Sequence, residues 1–255
     1  MALLIIFVLG LIVGSFLNVV IYRLPLDESV IKPGSHCTHC NKSINPWNNI
    51  PVVSFILLRG KCANCKKSIS WRYPLVELLT AIAFVTTAHK FGVNLLLFVH
   101  DLPFVAALIA VTFIDLDHRI IPDELSLGLV GLGLLTGWAT PGLGLIQSVS
   151  GAAVGFGLFF GFAWLYEKMS KRSGLGGGDI KLLAALGAFV GPVGVMNTVL
   201  MSSILGSIIG IIVGIRSQEK QLMMTAIPYG PFLVVGGLYS YWIGDLSWLP
   251  FMTMT

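Results

Sequence analysis

No charged residue interrupts the chain between Ala2 and Tyr22, and comparable apolar runs recur almost to its end. Runs of about 17–25 apolar residues match the hydrocarbon core of a bilayer, where every backbone N–H and C=O must be paired within the protein. The strict alternation of an outer-membrane barrel is absent, which leaves helices. Composition agrees. With 55% apolar and 11% charged residues and a mean hydropathy of +0.86, too little polar surface exists to coat a soluble globule of 255 residues. The expected fold is an all-α polytopic membrane protein of about eight transmembrane helices with a small cytoplasmic zinc-binding insert.

The spans are expected at Ala2 to Tyr22, about Tyr73 to Ala88, about Leu102 to Ile114, Leu125 to Ala139 and Leu145 to Tyr166. A sixth follows Asp179 and is closed by Gly191-Pro192, and Met196 to Ile215 and Tyr229 to Leu249 complete the set. Three parts follow: the first helix over 1–23, an insert over 24–72 and a membrane body over 73–255. The first span lacks a basic n-region and a small-residue cleavage site, so it reads as retained and not as a signal peptide. With eight spans, all of the 16 Lys and Arg except Lys90 fall on one side. The positive-inside rule then puts both termini outside and the insert in the cytoplasm. The net charge of +4 therefore reports topology and gives no support to nucleic-acid binding.

The insert carries all four cysteines, in "CTHC" at Cys37 to Cys40 and "CANC" at Cys62 to Cys65. Two Cys-x-x-Cys turns offer a tetrahedral zinc two thiolates each, although the gap between Cys40 and Cys62 is slightly longer than in the usual ribbon. Two disulfides or redox pairs are the rival, and a reducing compartment disfavours them. His36 and His39 are bystanders, because four thiolates already close a structural site. So small a segment cannot fold on its apolar core alone, so the metal supplies folding energy.

In the membrane body, "FIDLDHRIIPDELS" puts Asp115, Asp117 and Asp123 at one edge of the third span, and "GGGDIKL" puts Asp179 at the mouth of the sixth. Carboxylates at membrane depth are costly and point to function. Two that share a proton can activate water for peptide hydrolysis. Asp115 and Asp117 point about 200° apart on a helix, so one of them, not both, can face Asp179. The bland alternatives are pairing of the acids with His118 and Arg119, and a helix N-cap for Asp179. Local helix dipoles favour the anion on Asp179, at a helix start, over an acid in a last turn. Asn18 and Glu77 read as interhelical hydrogen-bonding or anchoring groups, and Lys181 as a residue that snorkels to the interface. A transporter with paired acids, or an assembly factor that docks through the insert, would use the same features differently.

The chain resembles the type IV prepilin peptidases, the leader peptidases and N-methyltransferases of the GxGD aspartyl protease group. The resemblance rests on "GSFLNVVIYRLP" at Gly14 to Pro25, the two cysteine knuckles, "RGKCANC" at Arg59 to Cys65, "YPLVEL" at Tyr73 to Leu78, "DLDHRIIPD" at Asp115 to Asp123, and "GGGDIKL" at Gly176 to Leu182. It implies that Asp115 and Asp179 are the catalytic pair. It also implies removal of a basic leader from a prepilin or pseudopilin after a glycine, at the cytoplasmic face of a bacterial inner membrane. Methylation of the new α-amino group from S-adenosylmethionine follows, the cysteine insert is linked to that half, and a place in the methyl-donor site is the alternative role for Asn18 and Glu77, which the family motifs include. Members without the cysteines act as peptidases alone, so the four cysteines here imply both activities.

Overall fold

The computed structural model describes residues 1–170, 175–216 and 228–244. Its helices are α1 (Ala2–Arg23), α2 (Val53–Leu57), α3 (Arg72–Phe91), α4 (Leu102–His118), α5 (Asp123–Thr136), α6 (Gly144–Ser170), α7 (Gly177–Arg216) and α8 (Gly230–Ile243). No strand is present among the described residues. Helices stand where the apolar runs lie, with α2 the only α-helix lying wholly inside the insert, beside 3-10 turns at Leu24–Leu26 and Pro46–Asn48. Residues 245–249 of the last expected span, Ser173 and Gly174 before the glycine run, and Lys171, Arg172 and Lys220 of the charge count lie outside the described residues.

Among the described residues four helical stretches are long and apolar enough to cross a membrane: Ala2–Leu26, Leu97–His118, Gly144–Ser170 and Gly177–Ile215. Their outer faces are apolar, with Ile5 and Ile12 on α1, Phe162 on α6 and Ile211 on α7 all exposed. Such faces suit lipid and not water. The stretch before α4 begins with a π-helical turn at Leu97–Asp101, so helical structure starts earlier than the third expected span. Gly191-Pro192 ends one helical segment of α7, as expected, and a second begins at once. Gly191 takes φ 71° and ψ 178°, the axis kinks, and helix resumes to Arg216. Proline is tolerated because it opens the new segment, where its missing N–H has no partner to lose. At 1.5 Å per residue the 39 residues of Gly177–Ile215 would reach about 58 Å if straight, nearly twice a hydrocarbon core of about 30 Å.

The chain forms two compact units, Met1–Ile114 and Asp115–Thr255, and the boundary falls within α4. In the first unit α1 packs along α3. A Cβ on Gly10 would come within 2.5 Å of Ala81 Cα, and one on Gly14 within 2.6 Å of Glu77 Cα, so glycine sets how closely these helices cross. Asn18 locks the pair, donating from Nδ2 to the Tyr73 carbonyl at 3.1 Å. Arg72 donates to the Phe113 carbonyl at 3.3 Å and lies over the Phe113 ring. In the second unit α7 is the centre, with α5, α6 and α8 packed on it. Gly151 of α6 and Gly187 of α7 meet backbone to backbone, with no room for a side chain on either.

Candidate active site and metal centre

Asp115 sits in the last turns of α4, is 5% exposed, and accepts the backbone N–H of Gly230 on Oδ2 at 2.9 Å. Asp117 is exposed, as expected for a residue on the opposite helical face. Asp179 is the third residue of α7, half-buried, and belongs to the same compact unit as Asp115. The fold therefore brings together Asp115 and Asp179 and leaves Asp117 aside.

Asp179 is not the N-cap of its helix. Gly176 precedes the first helical residue, its N–H is received by the Asp179 carboxylate, and its carbonyl accepts the Asp179 N–H at 3.1 Å. This is half of a capping box, with the acid at the third position reaching back. The glycines have separate reasons. A Cβ on Gly176 would stand 3.1 Å from Asp179 Oδ2, and one on Gly178 would stand 2.9 Å from Ile121 Cβ. Nothing lies within 4 Å of a Cβ on Gly177, and the structure gives no account of it. The Gly178–Ile121 contact seats the start of α7 against the segment that follows Asp115. The local dipole argument also needs correction. Asp115 receives an N–H from the first residue of α8, so a helix start stabilises charge on each acid and not on Asp179 alone.

Lys181 does more than reach for the interface. Its ammonium donates to both carboxylate oxygens of Asp123 at 2.6 and 2.7 Å, joining the two acid-bearing motifs. Neither Gly230 nor this pairing was expected. The only local signal for Gly230 is Tyr-Gly-Pro before an apolar run, which marks a turn but not its distant partner.

In the insert each cysteine pair sits in the same knuckle. Cys37 N–H donates to the Lys42 carbonyl and Cys62 N–H to that of Lys67, with Asn41 and Lys66 in the left-handed region closing the turns. Gly60, at φ 65°, supplies the turn that leads into the second knuckle. The four sulfurs lie within 4.8 Å of one another, and no disulfide joins them. Cys37 and Cys65 sulfurs are 3.9 Å apart. A tetrahedron with metal–sulfur bonds of about 2.3 Å has edges of about 3.8 Å, so the cluster can hold a metal ion. The N–H groups of Cys65 and Asn64 pull the Cys62 thiol down to about 6. The Lys67 N–H favours the Cys65 thiolate too, but burial and the neighbouring sulfurs outweigh it and push that thiol up to about 11. Neither His36 nor His39 belongs to the cluster.

Arg23, counted in the sequence as one basic residue among many, is 4% exposed and holds the start of the insert. Its guanidinium donates to the carbonyls of Ser29, Pro33 and Gly34 at 3.0, 2.7 and 3.4 Å.

Residues 8–91 match the family described as the bacterial peptidase A24 N-terminal domain, and residues 102–211 match the type IV leader peptidase family. A type 4 prepilin-like proteins leader peptide-processing enzyme of Escherichia coli O78:H11 is 37% identical over 93% of this chain and 92% of its own. Prepilin leader peptidase/N-methyltransferases of Neisseria gonorrhoeae and Pseudomonas aeruginosa are 36% and 37% identical, over 94% and 93% of this chain and 90% and 89% of theirs. No solved structure matches.

Proposed function

The chain belongs to the type IV leader peptidase family, and on that premise we propose that it removes the leader of prepilins or pseudopilins and methylates the exposed amine. The observation that carries the proteolytic half is buried Asp115, held by the Gly230 N–H, with the start of α7 that bears Asp179 seated through Gly178 on Ile121. In this reading one carboxylate takes a proton from a water molecule as its oxygen attacks the scissile carbonyl, and the protonated partner polarises the carbonyl oxygen. Collapse of the intermediate breaks the C–N bond as a carboxyl proton passes to the leaving nitrogen. The Gly230 N–H fixes one oxygen of Asp115, so the acid is positioned before substrate arrives.

The Cys37, Cys40, Cys62 and Cys65 cluster is a structural zinc site in this reading, and S-adenosylmethionine is the methyl donor. That donor supplies a methyl carbon on a cationic sulfur that leaves as a neutral thioether. Eight traversals follow if α7 crosses twice about the Gly191 kink and α3, α5 and α8 each cross once. The basic residues then put both termini outside a bacterial inner membrane and the insert in the cytoplasm. Residues 1–23, 24–72 and 73–255 serve as anchor, methylation insert and protease body. A prepilin suits this site, since its apolar helix lies in the bilayer and its basic leader in the cytoplasm.

The test is to incubate the purified, membrane-reconstituted protein with a prepilin and S-adenosylmethionine and weigh the product. A product shortened at the leader and carrying one added methyl group is expected. An uncut prepilin would end the reading.

A further inference from the structure

A cavity of about 1000 Å³ opens in the first unit, walled by the insert on one side and by α1 and α3 on the other. That is the upper end of the range for small-molecule sites, about 300–1000 Å³. Its wall includes Cys37 and Cys62, so the cysteine cluster holds part of its shape. Glu77, on α3, is 7% exposed and reaches the same space.

Glu77 has partners, but no cation. Its Oε2 accepts the Val52 N–H at 2.7 Å, and the Ser15 hydroxyl donates to the same carboxylate. Val52 is held at φ 60°, a conformation costly for a β-branched side chain and tolerated where surroundings enforce it. Among the described residues no Lys, Arg or His forms an ion pair with Glu77. The nearby guanidinium of Arg23 is committed to three carbonyls. A cationic ligand in this cavity would supply the counter-ion that an ionised Glu77 lacks.

We infer that this cavity binds the S-adenosyl methyl donor, with Glu77 as the counter-charge to its sulfonium and ammonium groups. The inference rests on the methyl-transfer reading above. The remaining lining suits the rest of such a ligand, since Tyr22, Phe55 and Tyr73 supply aromatic side chains and Asn48 and Asn49 supply amides for a nucleoside. The cavity lies in the first unit, whereas Asp115 and Asp179 belong to the second, so donor binding and proteolysis use different parts of the chain.

The test is equilibrium binding of S-adenosylmethionine and of S-adenosylhomocysteine, which lacks the sulfonium charge, to the zinc-loaded full chain in detergent. Two variants are compared with the unaltered protein. Glu77→Gln removes the charge, and Val19→Trp fills the cavity from α1. Zinc content and a single elution peak report on folding. Glu77→Gln is expected to weaken S-adenosylmethionine at least about tenfold, and S-adenosylhomocysteine less. Val19→Trp is expected to weaken both. Unchanged binding in both variants overturns the site, and equal losses for the two ligands in Glu77→Gln overturn the counter-charge role. If Glu77→Gln loses zinc, Val19→Trp decides alone, retained binding overturning the site and lost binding supporting it. An unaltered protein that cleaves prepilin yet binds neither ligand overturns the methyl-transfer reading itself, and the site with it.

Discussion

The backbone N–H of Gly230, the first residue of α8, donates to Oδ2 of Asp115 across 2.9 Å, and a Cβ at position 230 would stand 2.6 Å from that oxygen. Gly230→Ala therefore pushes the carboxylate out of place without altering any titratable group. Leader cleavage is expected to fall about 100-fold, the effect of displacing a reacting group by about 1 Å, while the protein still inserts and binds zinc. Cleavage kinetics of the reconstituted variant check this, and an unchanged rate would mean that the amide contact does not position Asp115.

Asp115→Asn and Asp179→Asn should each lower cleavage by more than about 100-fold, because the proposed proton exchange needs both acids. Asp117→Asn should cost far less, since that side chain is exposed on the other face of α4. The three rates, measured on one prepilin, decide between the assignments. Full activity in either of the first two variants removes that residue from the mechanism.

Asp123→Asn breaks the bidentate pair with Lys181. The partners' side chains are 35% and 56% exposed, so solvent screens the pair and its removal should destabilise by no more than about 1 kcal/mol. Thermal unfolding in detergent reads this directly. A larger loss would show that the pair does more than link two motifs at the surface.

Cys62→Ser or Cys65→Ser should empty the metal site, abolish methylation and leave cleavage at a reduced level, and a chelator should act likewise. Metal analysis and mass spectrometry of the same reaction give the paired readout. Variants that lose zinc but methylate normally would detach the insert from methyl transfer. Joint loss of both activities would make the insert a brace for the protease.

Topology has its own check. A cysteine introduced at position 90 should react with a membrane-impermeant thiol reagent from outside, whereas one at position 66 should react only after the membrane is opened. The reverse pattern would place the acids on the wrong face for a leader still in the cytoplasm.

Local sequence carried much of this arrangement and tertiary contact carried the rest. The apolar runs give the helices, and the 200° separation on a helix leaves Asp115 buried and Asp117 exposed. The cysteine spacing foretells two turns that face each other, since each knuckle is built from its own few residues. Gly191-Pro192 is legible because a non-helical glycine followed by proline interrupts the hydrogen-bond ladder wherever it stands, and the break falls there. Lys181 and Arg23 read as surface charges because their partners are reached through folding. The Asp115 amide partner lies 115 residues away, beyond any local pattern.

That separation has a consequence for when the protein becomes competent during its own synthesis. A nascent chain that has emerged as far as α7 already carries both aspartates and the whole cysteine cluster, but not the amide that holds Asp115. Only α8, which follows α7 in the chain, brings that amide. A ribosome-bound chain that stops between α7 and α8 therefore holds Asp115 without its amide anchor.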